Sequence, residues 1–159
     1  MRLDVFFGGH LITPADIQGR VVLVLDVLRA STTVAVALAN GARAVIPFES
    51  SDEVVARAKQ FERSDVLLAG ERKMKPIPGF DLGNSPREYT REEVEGKTVL
   101  LTTTNGTVAL VGLQGARDVV VASYVNYSAV SAMMRAAARG AADLSIVCAG
   151  RDRQFALED

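Results

Sequence analysis

Seven short apolar or β-branched runs recur along this chain, and the segments between several of them carry helical patterns. A strand that is apolar on both faces must be covered on both faces, so this alternation constrains the fold more than any other feature. The runs are Leu3 to Phe7, Val21 to Asp26, Ala44 to Phe48, Val66 to Ala69, Thr98 to Thr102, Asp118 to Ala122 and Leu144 to Cys148. Helical periodicity covers Ser31 to Asn40, Asp52 to Arg63, Gly106 to Leu113 and Asn126 to Arg139. Gly41 and Gly140 follow two of these helices directly, where a left-handed residue closes the last turn. The pattern predicts an α/β fold: a mostly parallel sheet, helices on both faces, and a ligand site at the C-terminal strand edge.

At 159 residues and 48% hydrophobic, the chain is long enough for one good core and is read as a single α/β domain, residues 1–159. No apolar stretch approaches the ~18 residues of a spanning helix, so no membrane partner is expected. The start, MRLDVFFGGH, has an acid at position 4 and too short an apolar run for a secretory signal, which points to the cytoplasm. One cysteine, Cys148, and one histidine, His10, give neither a disulfide nor a zinc ligand set, and Cys148 reads as a small core residue. A net charge of -1 without a basic stripe excludes a nucleic-acid partner and favours a small molecule. The alanine-rich Val130 to Ala138 face is where a second subunit would pack, and a homo-oligomer is expected.

Chemistry gathers just past the strands. Asp26 ends an unusually apolar run and is followed by Arg29 and Ser31. Glu71 and Arg72 follow the fourth run, and Thr103, Thr104, Asn105, Gly106 and Thr107 follow the fifth. Beyond Cys148 come Gly150, Arg151 and Asp152, then Glu158 and Asp159. Between Gly70 and Tyr89 lies one long irregular stretch, GERKMKPIPGFDLGNSPREY, of the kind that forms a binding loop. In one parallel sheet these groups would share an edge that offers carboxylates, guanidiniums and helix starts. That set suits an anionic substrate with a hard cation. Familiar phosphate motifs are absent: there is no GxxxxGK[ST], no GxGxxG opening a helix, no tyrosine-phosphatase spacing after Cys148, and Leu28 replaces the second acid of a haloacid-dehalogenase motif.

The segments LDVLRASTTVAVALANGA, AGER, GFDLGNSPREY, LTTTNGT and CAG followed by FALED resemble the motif series of the 2-phosphosulfolactate phosphatase family, in the family's order. The resemblance implies a Mg²⁺-dependent enzyme that hydrolyses 2-phospho-3-sulfolactate to 3-sulfolactate and phosphate, a step of coenzyme M biosynthesis. Family members continue past the last block, so the chain is expected to be the N-terminal part of a longer polypeptide. Phosphoryl transfer is catalysed mostly by positioning and electrostatics, so the expected roles follow from charge: Asp26, Glu71 and Arg29 are the catalytic candidates, and Asp26 and Glu71 would hold the Mg²⁺ with Glu158 or Asp159 helping. Substrate contacts fall to Arg29, Ser31, Arg72, Asn84, Ser85, Thr104, Asn105, Gly106, Thr107 and Arg151. Such a substrate carries roughly four negative charges, which these cations and the metal would balance. The alternative is a non-catalytic binding module for a small phosphorylated or sulfonated acid, in which the arginines work without metal. A third reading is a structural or assembly role.

Overall fold

The computed structural model describes residues 1–152 and 154–159. The fold is α/β, as expected, and seven of its strands lie where the apolar runs stand. They are β1 (Leu3–Phe6), β2 (Val21–Leu25), β3 (Ala44–Phe48), β4 (Val66–Arg72), β6 (Thr98–Thr102), β7 (Asp118–Ala122) and β8 (Leu144–Cys148), with a short β5 (Lys75–Pro76) in addition. The helices are α1 (Pro14–Ile17), α2 (Ala30–Ala39), α3 (Ser51–Ala58), α4 (Arg91–Val94), α5 (Gly106–Val111) and α6 (Tyr127–Arg139).

The strands do not form one sheet. They divide into two four-stranded sheets, ordered β1-β8-β2-β7 and β3-β6-β4-β5. The first is parallel throughout; the second is parallel except for the antiparallel β4–β5 pair. An apolar run announces a strand covered on both faces, but it carries no label for the partner it pairs with, which is why one sheet and two sheets read alike in the sequence. One residue marks a position, though not a partner: Pro47 has no N–H for a ladder, and β3 is an edge strand.

Helices α2 and α5 form the layer between the sheets. Val34 and Ala37 of α2 pack with Leu67 and Ala69 of β4 and Val99 and Leu101 of β6, and Val121 of the first sheet closes the same cluster. Ala109 of α5 packs on Val22, Val24 and Val147 of the first sheet. On the outside, Val54 of α3 covers Val66 and Leu100, while Met134, Ala137 and Ala138 of α6 cover Val21, Val120 and Leu144. Much of the alanine-rich face of α6 is therefore used within the chain. Each fully buried aliphatic side chain contributes about 1.5–3 kcal/mol, so these layers supply most of the driving force for the arrangement.

Two further expectations are corrected. Gly41 closes α2 in the left-handed region at φ 95°, but Gly140 continues the last turn of α6 at φ -77° and Ala141, at φ 58°, makes the reversal. The stretch from Gly70 to Tyr89 is not irregular throughout. Its first residues extend β4 and turn into β5, and the remainder is pinned by Gly70 N donating to Leu82 O (3.0 Å), Tyr89 Oη to Gly83 O (2.7 Å) and Asn40 Nδ2 to Tyr89 O (2.6 Å). Among the described residues no helix is long and apolar enough to cross a membrane.

Candidate active site

Strand β2 delivers Asp26 to the end of the first sheet, and the start of α2 folds around it. Ser31 N donates to Asp26 O at 2.8 Å, Asp26 N donates to Ser31 Oγ at 2.9 Å, and Ala30 N donates to Asp26 Oδ1 at 3.1 Å. The carboxylate thus satisfies one of the free N–H groups of the helix start and stays put. Only 9% of Asp26 is exposed. Burial is the main cause of its raised pKa, about 6; the amides of Ala30 and Arg29 pull it down, and the carboxylates of Asp159 and Glu71 push it up. Gly106 closes the pocket on the other side. A Cβ there would stand 2.3 Å from Asp26 Oδ2 and 2.6 Å from the Ala30 methyl, so the approach of α5 to Asp26 needs glycine.

The second sheet contributes Glu71, which is buried. Its Oε1 accepts from Thr104 N at 2.7 Å, and its Oε2 accepts from Met74 N at 2.7 Å and Thr104 Oγ1 at 3.1 Å. The preceding Gly70, at φ 138°, lets β4 lie against β6, where a Cβ would fall 1.8 Å from Thr102 O. Residues after β8 close the third side. Asp159 accepts from Val27 N (2.9 Å) and Gly150 N (3.0 Å), and burial pushes its carboxyl above the usual range. Asp152 N donates to Asn105 Oδ1 at 3.2 Å, joining this segment to the start of α5.

These walls line an open cavity of about 670 Å³ at the C-terminal ends of strands from both sheets. Of the residues expected at the site, Asp26, Arg29, Glu71, Asn84, Thr104, Asn105, Arg151, Glu158 and Asp159 line it. Ser31, Arg72, Ser85, Gly106 and Thr107 do not. Ser31 is turned into the β2–α2 junction, and Arg72 reaches away to Glu49 O at 2.6 Å. Thr107 is fully buried and locked to Thr103. Gly106 backs Asp26 rather than opening to solvent, and Ser85 precedes the short turn Pro86–Glu88. Sequence reasoning did not select Leu28, Lys73, Met74, Gly150 and Asp152 as site residues, yet they line the cavity too. Gly150 and Asp152 were visible as strand-end residues, whereas Lys73 and Met74 were hidden in a stretch with no strand pattern of its own.

The lining sets five carboxylates, Asp26, Glu71, Asp152, Glu158 and Asp159, against three cations, Arg29, Lys73 and Arg151. An excess of acid in a partly buried cavity repels an anionic ligand unless a cation joins it. Among the described residues no three His, Cys, Asp or Glu side chains stand close enough to enclose a metal ion by themselves. Mg²⁺ does not require that: it commonly keeps several waters and binds one or two carboxylates together with substrate phosphate oxygens. Asn84 adds an oxygen of the right kind. It is only 6% exposed, its Oδ1 has no partner among the described residues, and its backbone carbonyl is tied to α2 by Thr33 Oγ1 at 3.1 Å. The donor set fits a hard cation of this type.

Comparison with known proteins places this arrangement among relatives. Residues 9–159 match the family described as 2-phosphosulpholactate phosphatase. A protein of Caldanaerobacter subterraneus subsp. tengcongensis named "Probable 2-phosphosulfolactate phosphatase" is 43% identical over 159 residues, which is 100% of this chain and 65% of the relative. A protein of the same name from Symbiobacterium thermophilum is 48% identical over 149 residues, 93% of this chain and 63% of its own length. One from Clostridium botulinum is 38% identical over 159 residues, covering 66% of its length. The chain thus spans a little under two thirds of the length of these curated relatives.

Proposed function

The chain belongs to the 2-phosphosulpholactate phosphatase family, and from that premise we propose that its cavity hydrolyses the phosphate ester of 2-phospho-3-sulfolactate with the help of Mg²⁺, giving 3-sulfolactate and phosphate. The observation that carries this reading is the buried Asp26 sharing one acid-rich cavity with Glu71 and Asp159, with Arg29, Lys73 and Arg151 in the same lining. Acids held this close in a buried site repel one another, which is the condition that a divalent cation relieves.

Asp26 and Glu71 are the residues that would hold the ion, with Asp159, Glu158 and the Asn84 amide oxygen of the same lining as further oxygen donors. When bound, Mg²⁺ supplies positive charge against the phosphoryl oxygens and so favours the charge distribution of the transition state. Arg29, positioned at the start of α2, offers two parallel N–H donors to the phosphate, and Arg151 offers a second guanidinium from the segment after β8. Thr104 and Asn105 orient the ester from the second sheet. The Asp26 hydrogen bond to Ala30 N fixes the carboxylate before substrate arrives, so positioning does not depend on the ligand. We place the enzyme in cytoplasmic sulfonate metabolism of the coenzyme M type, as the sequence reading implies, and assembly as a homo-oligomer remains part of the proposal.

The test is phosphate release from 2-phospho-3-sulfolactate by this chain in Mg²⁺ and again with a chelator. Release that the chelator abolishes is expected. Equal release in both conditions would remove the metal from the account, and release from neither this chain nor a family-length version would remove the substrate.

A further inference from the structure

The hairpin joining β4 to β5 turns through Lys73 and Met74 alone, since Arg72 pairs with Lys75 across it. Both turn residues are left-handed, with φ of 50° and 63°. Asn-Gly is the usual occupant of a two-residue turn of this hand, because a larger side chain crowds its own backbone there. Lys-Met breaks that local rule, and such strain persists only where the surroundings over-determine it, often at functional sites. Here the surroundings are the site itself. Met74 N donates to Glu71 Oε2 at 2.7 Å, Lys73 N donates to Thr104 Oγ1 at 3.1 Å, and Thr104 N donates to Glu71 Oε1 at 2.7 Å. The buried Glu71 therefore fixes the turn, and the turn fixes Lys73 on the cavity wall. Among the described residues no carboxylate lies within ion-pair distance of Lys73 or of Arg29.

We infer that Lys73 is a specificity-determining contact for the sulfonate of the substrate. The inference rests on the phosphatase reading above. Arg29 follows β2 of the first sheet and Lys73 follows β4 of the second, so two unpaired cations face one cavity from opposite sheets. A simple monophosphate needs one such cation; a three-carbon acid with a phosphate on its middle carbon and a sulfonate at one end needs both. Arg29 stands beside Asp26 and takes the phosphate, whereas Lys73 is a compact point charge on a flexible stem, suited to a sulfonate with three equivalent oxygens.

The test measures binding of 3-sulfolactate and, separately, of inorganic phosphate by calorimetry in Mg²⁺, for the wild type, Lys73→Asn and Lys73→Arg. Asparagine tolerates the left-handed region, so Lys73→Asn is expected to raise Tm by roughly 1–3 °C, which separates a lost contact from a damaged fold. The same variant should weaken 3-sulfolactate binding about tenfold or more, as loss of a charge-assisted bond does. Phosphate binding should stay within about twofold, and Lys73→Arg should retain most of the 3-sulfolactate affinity. Equal losses for both ligands, unchanged binding of 3-sulfolactate, or no binding by the wild type would each overturn the inference. Failure of the phosphatase reading shows separately, as 3-sulfolactate binding without phosphate release from the ester.

Discussion

Asp26 titrates near pH 6 in the folded chain, against an ordinary value of 3.8, because burial disfavours its charged form and two other carboxylates stand near. Between about pH 4 and pH 6 the folded state therefore binds more protons at this residue than the unfolded state does. The sign follows: Asp26 favours the fold below that window, and stability is lost as pH rises through it, by on the order of 2–3 kcal/mol before levelling off. Asp26→Asn removes the titration, so its stability should exceed that of the wild type at pH 7 and converge with it near pH 4. Mg²⁺ should flatten the wild-type profile. Urea unfolding at a series of pH values checks both; a wild type and variant with parallel profiles would show that Asp26 is not the strained group. This residue was legible in the sequence because an acid ends so apolar a run. Lys73 was not, because its importance comes from a backbone conformation that neither lysine nor methionine advertises.

The β2–α2 junction shows how an element and a site are built from the same few atoms. Ser31 accepts from Asp26 N through Oγ and donates its own N–H to Asp26 O, which places the carboxylate at the cavity while keeping the serine out of it. Ser31→Ala should then cost about 1–2 kcal/mol in stability and leave KM unchanged, measured by denaturation and steady-state kinetics. A raised KM with unaltered stability would return Ser31 to the substrate. Strand positions were readable because Val, Ile and Leu runs between helical patterns leave few alternatives. The β4–β5 hairpin was missed because its turn lacks the glycine that marks such turns, and the left-handed closure of α6 falls one residue later than expected, at Ala141, because Gly140 completes the last turn.

At the scale of the whole molecule, division into two sheets is what makes the site. A single parallel sheet would set all the strand ends along one edge; two sheets sharing α2 and α5 turn those ends toward each other, and the cavity forms between them. The charged residues were visible in the sequence, but the cleft was not, since nothing in an apolar run states which strand it will join. The outer face of the first sheet is less completely covered. Leu3 and Val5 are 52% and 45% exposed, and an apolar groove of about 450 Å³ runs between Leu23, Leu25 and α6. The proposed function makes the acid-rich cleft between the sheets a Mg²⁺-dependent phosphatase site centred on Asp26. Its most direct test is the rate of phosphate release from 2-phospho-3-sulfolactate in Mg²⁺ by Asp26→Asn beside the wild type, with circular dichroism to establish that both are folded. A folded variant with its turnover reduced at least about a hundredfold is expected, as the loss of a group on which charge stabilisation depends requires. A folded variant that turns over at the wild-type rate would contradict it.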